Sequence, residues 1–188
     1  MGKPIHPATV HFPISFLFLS FTLDILHSTR ASLPTSLQNS LLGPHDLTSA
    51  AHSLLSLGLL TAIPAVVTGG RELITMIQKQ GMYESDGVTV KTKVKATIAH
   101  AVAMDVLLAV STWIWYSRRQ VSEGMEMKES TDDSAVYAHS TSFVVAEFLT
   151  LGLLLLGANI GGTLTYNYGV GFSSLSKAGK KDGKKKSL

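Results

Sequence analysis

Four apolar blocks, residues 8 to 28, 47 to 68, 96 to 116 and 140 to 160, each come close to the ~20 residues that a helix needs to cross a ~30 Å hydrocarbon layer. In lipid the backbone groups of such a segment must be satisfied internally, so each block reads as a helix. The chain is therefore expected to be an all-α bundle of four transmembrane helices. An even number of crossings puts both termini on the same side. Only 15% of the residues are charged and the mean hydropathy is +0.25, which places the chain outside the range of ordinary soluble domains. The membrane domain is expected to occupy residues 1–171, with residues 172–188 as a disordered basic tail. No Ala-x-Ala-like cleavage site follows the first block, and Asp24 and His27 interrupt its end, so it reads as a retained helix rather than a signal peptide.

The side that holds the N-terminus also receives twelve of the sixteen basic residues, among them Arg71, Lys79, Lys91, Lys93, Lys95 and the six lysines of the tail. The opposite side holds only Arg30, Arg118, Arg119 and Lys128. Positive charge marks the face that is not translocated, so both termini are expected in the cytosol. The tail is suited to anionic lipid headgroups. Lys185 and Lys186, third and fourth from the final Leu188, resemble a dilysine retrieval signal, which in a eukaryotic cell would place the protein in the endoplasmic reticulum. Cysteine is absent, which removes disulfides, thiolate metal sites and cysteine nucleophiles. No nucleophile elbow, phosphate loop or aromatic-interleaved basic surface occurs, so hydrolase and nucleic-acid readings fail and nothing calls for an enzyme.

Small and hydroxylated residues crowd the second span, which suggests a central helix, and Pro64 is expected to kink it. The connector from 29 to 46 reads as an irregular surface loop, and Gly69-Gly70 as the end of the second span. Residues 120 to 138 form an acidic loop on the side opposite the tail.

The polar residues inside the apolar blocks are where function is sought, because intramembrane polar groups are costly. Residues 4 to 18 carry His6 and His11 among three prolines. His11 and His100 begin the first and third spans at matching depths of roughly 5 and 6 Å. Two imidazoles at one depth in a four-helix bundle can supply both axial ligands of a b-type haem, with His6 as a neighbouring or alternate group. The alternative is a pair of interfacial side chains satisfied by backbone or water. His52 lies roughly 8 Å in from the other side and His139 near its surface, a mismatch that disfavours a second haem. His27 and His45 read as loop or interface residues.

Asp105 and Glu147 are expected near the bilayer midplane, about one helical turn apart in depth and facing the interior. With no intramembrane Lys or Arg counted as a counter-ion, they suggest a proton or cation relay, or a neutral acid that ties two helices together. Asp24 is expected to cap the first span or reach the interface. Asp105 follows His100 by five positions, about 140° around the helix, so the two cannot both point squarely into one site.

His6-Pro7-x-x-Val10-His11-Phe12-Pro13-Ile14, Asp24, Thr68-Gly69-Gly70 and Gly161-Gly162-x-Leu164-x-Tyr166-x-x-Gly169-Val170-Gly171 resemble domain-of-unknown-function family 2231, over roughly residues 5 to 171. The resemblance implies a four-helix membrane protein and no established activity. Some bacterial relatives stand beside cytochrome-like domains, which implies a redox role. The acidic loop and the lysine tail are additions to the family pattern. Three functions follow as expectations: a haem-binding redox protein using His11, His100 and His6, a proton or ion conductor or small transporter using Asp105 and Glu147, and a scaffold for lipid or membrane-protein partners. Against transport, there is no inverted repeat and no broken helix beyond Pro64.

Overall fold

The computed structural model describes residues 5–126 and 140–170. Most of the acidic loop, His139, Lys3, Gly171 and the lysine tail lie outside the described residues. The first crossing is made by α1 (Ile5–Thr9) and α2 (His11–Thr29), followed by a 3-10 turn (Arg30–Ser32) and the short α3 (Thr35–Ser40). Then come α4 (Pro44–Gln80), α5 (Thr92–Glu126) and α6 (Thr141–Tyr166). Four segments, Ile5–Ser32, Pro44–Gln80, Thr92–Glu123 and Thr141–Tyr166, are long and apolar enough to cross a membrane. The expected all-α architecture with four spans is what the chain forms.

The helices overrun the apolar blocks. Gly69-Gly70 does not end α4, because the Arg71-Glu72-Leu73 stretch and the Met, Gln and Lys residues after it are good helix formers. The helix stops at Gly81, whose φ of +72° suits glycine and whose N–H caps the Ile77 carbonyl. The 29 to 46 connector is also more regular than expected. The Arg30 guanidinium holds it by donating to the Gln38 carbonyl at 2.7 Å and to that of Leu42. Between α4 and α5 the chain closes a small turn through a single Tyr83 to Val90 bridge. There the Thr89 hydroxyl and the amides of Val88 and Thr89 donate to Asp86 and hold its carboxyl below the usual range.

In the ring of spans, α2 packs on α4 and α6, and α5 packs on the same two helices, so α2 and α5 face each other across the centre. Leu17, Phe21, Leu55, Leu107, Ile114 and Leu154 fill the middle. Leu60, Ile63, Phe148 and Leu156 point outward, as lipid-facing residues must. Lipid supplies no hydrophobic force between helices, so close approach depends on small residues and buried hydrogen bonds. At Gly58 on α4 an added Cβ would lie 2.7 Å from Leu17 Cδ2 and 3.3 Å from the Leu17 backbone nitrogen. One turn along, the Ser20 hydroxyl donates to the Ala51 carbonyl at 2.8 Å, fully buried.

Gly58→Ala should therefore separate α2 from α4 and cost about 1–3 kcal/mol, read as thermal unfolding in detergent. Gly152→Ala meets nothing within 4 Å and removes a helical glycine, so its unfolding temperature should equal or exceed that of the parent.

Candidate functional site

One guanidinium ties all four spans together. Arg118 on α5 is 1% exposed, and its two terminal nitrogens grip Asp24 of α2 in a bidentate pair, at 2.7 and 2.8 Å. The pair runs across the centre of the ring. Nη2 also reaches the Thr48 carbonyl of α4 at 3.4 Å, and Nη1 lies 3.7 Å from Glu147 Oε1 of α6. Asp24 is 2% exposed and Glu147 is fully buried. A fork of N–H donors matched to a carboxylate fixes direction as well as distance, so this contact sets the mutual register of α2 and α5. Beside it, His52 stacks on Trp115 with centroids 6.2 Å apart, Trp115 Nε1 donates to Ser56 Oγ at 2.8 Å, and Arg119 lies 5.8 Å over the indole.

The second polar cluster lies ~27 Å away along α5, at the other end of the bundle, since eighteen residues separate His100 from Arg118. His6 on α1 places Nδ1 3.2 Å from Thr68 Oγ1, and Thr9 Oγ1 lies 3.1 Å from the same hydroxyl. The His6 ring rests on Gly69, where a Cβ would meet its Cε1 at 2.8 Å. His100 is seated in the same way on Gly161 of α6, at 3.2 Å. Its buried Nδ1 has no hydrogen-bond partner among the described residues.

Several placements differ from expectation. His11 is exposed on α2, whereas His6 and His100 are the imidazoles seated on glycines of facing helices. The matching depth of His11 and His100 assumed that the first helix begins at the apolar block, whereas α1 starts at Ile5 and carries His6 into the layer. Asp105 is exposed rather than interior. Gly157 faces Met104 across the α5–α6 contact, so Glu147, ten residues earlier on α6, lies ~15 Å from the level of Asp105. The two acids do not form one site. Asp24 is not a cap but half of a buried ion pair, and Arg118 supplies the intramembrane counter-ion that the sequence reading lacked. His27 is half-buried near the Arg118 end, and His45 is exposed beside Asp46 at 3.6 Å.

Arg118 was legible from periodicity. Leu107, Ser111, Ile114, Arg118 and Ser122 recur at helical spacing on the buried face of α5, which hydropathy alone hides because the apolar block ends before Arg118. Asp105 precedes Leu107 by two positions, about 200° around the helix, and so faces away.

Among the described residues no group of three or more His, Cys, Asp or Glu is placed to hold a metal ion. A membrane-embedded helical bundle with polar contacts at both ends of its interior is the class that this geometry defines. A sequence family described as predicted membrane protein (DUF2231) matches residues 2–174, and the chain belongs to that family. No curated protein and no solved structure matches it.

Removing the guanidinium leaves a buried carboxylate without its fork. Arg118→Met should lower stability by about 3 kcal/mol or more. Arg118→Lys, a point charge that cannot bind Asp24 at two oxygens, should recover only part of that loss in the same detergent melt.

Proposed function

We propose that the protein is a non-enzymatic membrane redox component whose working site is the histidine end of the bundle, where His6 and His100 hold a b-type haem. The observation that carries this is the state of the two imidazoles. The His6 ring is held by Thr68, whose Oγ1 lies 3.2 Å from its Nδ1, in the way that ligating histidines are oriented, and His100 keeps a buried Nδ1 with no hydrogen-bond partner among the described residues. Each also rests against a glycine of the facing helix, Gly69 for His6 and Gly161 for His100. A bare metal ion would need more protein ligands than the described residues offer, whereas haem iron brings four nitrogens of its own and asks the protein for two. When bound, the haem would supply one-electron chemistry. The residues of the chain would position it: Thr68, which Thr9 meets in turn, sets the His6 ring.

The relay reading has less support, because Asp105 and Glu147 are separate in depth and direction. We further propose that the histidine end and both termini face the cytosol. The basic residues of the 71–95 segment and of the tail support that orientation, and the terminal lysines support retrieval to the endoplasmic reticulum in a eukaryotic cell. The tail lysines would rest on anionic headgroups.

The absorbance spectrum of detergent-purified, full-length protein tests the haem assignment. A Soret band should be present, should disappear in His6→Ala and in His100→Ala, and should survive in His11→Ala. Colourless, iron-free protein from cells supplied with haem precursor would overturn it. So would a band that depends on His11 and not on His6.

A further inference from the structure

Asp105 lies within about 4 Å of the middle of the Thr92–Glu123 span, on its outward face. No hydrogen bond or ion pair joins it to another described residue, and the Arg118 network is ~20 Å away along the same helix. A carboxyl group directed at hydrocarbon is costly, protonated or not, and a second protein surface is what removes the cost. The middles of the neighbouring outward faces are different. Between Leu57 and Val67 on α4 the exposed residues are Leu57, Leu60, Ile63, Pro64, Val66 and Val67, and between Val145 and Leu156 on α6 they are Val145, Phe148, Leu149, Gly152, Leu155 and Leu156, with no polar side chain in either set. The α5 face instead reads Ile98, Val102, Asp105, Ala109, Thr112 and Tyr116, all exposed and spaced alternately four and three residues apart. That is the seam spacing of a two-helix contact, and the small Ala109 and Thr112 on one side of the acid allow the backbones to approach.

We propose that this face of α5 is a homodimer interface, and that Asp105 meets Asp105 of a second copy at its centre. Copies inserted with one orientation can pair about an axis along the membrane normal, which sets α5 parallel to α5 and each depth against itself. A carboxyl group is its own complement under that symmetry. With a proton retained, one acid donates the O–H that the other accepts, and no foreign donor is needed. The dimer contact is independent of the histidine end, which lies on the interior side of the same helix.

The chain has no cysteine, so single introduced cysteines report the contact directly. In membranes holding the full chain, Val102→Cys and Ala109→Cys should form disulfide-linked dimers under mild oxidation, since like positions across a close parallel pair approach the ~4.4–6.8 Å Cα separation that a disulfide spans. Leu60→Cys on α4 and Leu149→Cys on α6 should not. Adding Asp105→Ala to Val102→Cys should reduce cross-linking about tenfold, and Asp105→Asn, which keeps a donor and an acceptor, should retain most of it. Because Asp105 touches nothing inside the bundle, these variants should melt at the parent temperature. Folded protein that fails to cross-link at both α5 positions would overturn the proposal. Equal cross-linking from α4 or α6 would do so too, as would cross-linking indifferent to Asp105→Ala. A monomer whose α5 cysteines cross-link to a different protein would give the acid another partner and would equally exclude the dimer.

Discussion

The contact on which the bundle depends is the fork between Arg118 and Asp24. In water a hydrophobic core would draw four amphipathic helices together, but lipid tails are as apolar as the leucines, and that force is missing between spans. What remains is shape and polar contact. Arg118 reaches the carboxylates of α2 and α6 and a carbonyl of α4, so one side chain defines the azimuth of α5 and the depth of its three neighbours. Its partner Asp24 lies on the helix across the ring, which makes the pair a diagonal brace rather than an edge contact. A buried ion pair contributes little over an apolar replacement of the same shape, yet is costly to break on one side. Its main effect here is on which arrangement forms.

The same device of a side chain seated on a facing glycine recurs along the bundle. Leu17 sits on Gly58, His6 on Gly69 and His100 on Gly161. The first seat closes the apolar middle, and the other two bring imidazoles to one end, where Thr68 and Thr9 adjoin His6. The ion brace and the histidine end lie ~27 Å apart, close to the thickness of the hydrocarbon layer. The interior is thus braced by an ion pair near one end and lined by seated imidazoles near the other.

Hydropathy made the architecture readable, because ~20-residue apolar blocks admit few other folds. It also misled at block edges. A charged residue just past a block reads as interfacial, which is how Arg118 was set aside, although its spacing from Leu107, Ser111 and Ile114 continues the buried face. The same habit ended the second span at Gly69-Gly70, although α4 runs on to Gln80, and began the first at residue 8, although α1 starts at Ile5. Depth was inferred from block starts, and helices that extend beyond their blocks shift every such depth by a turn or more. Asp105 shows the complementary error. That intramembrane acids face inward is an expectation drawn from cost, whereas the direction is set by position on the helix, and two residues from Leu107 is the far side. The seating of His6 on Gly69 and of His100 on Gly161 had no sequence signal beyond the presence of the motifs, since it depends on how helices distant in the chain are brought into register.

A double-mutant cycle at Asp24 and Arg118 measures the brace most directly. Asp24→Leu and Arg118→Met are made singly and together, and stability is followed by reversible unfolding in mixed micelles. The account predicts strong coupling, with the double variant more stable than either single one, because the pair is replaced whole instead of leaving one charge stranded. Additive losses, with the double variant the least stable of the set, would show that the two side chains act separately and that the helices take their register from something else.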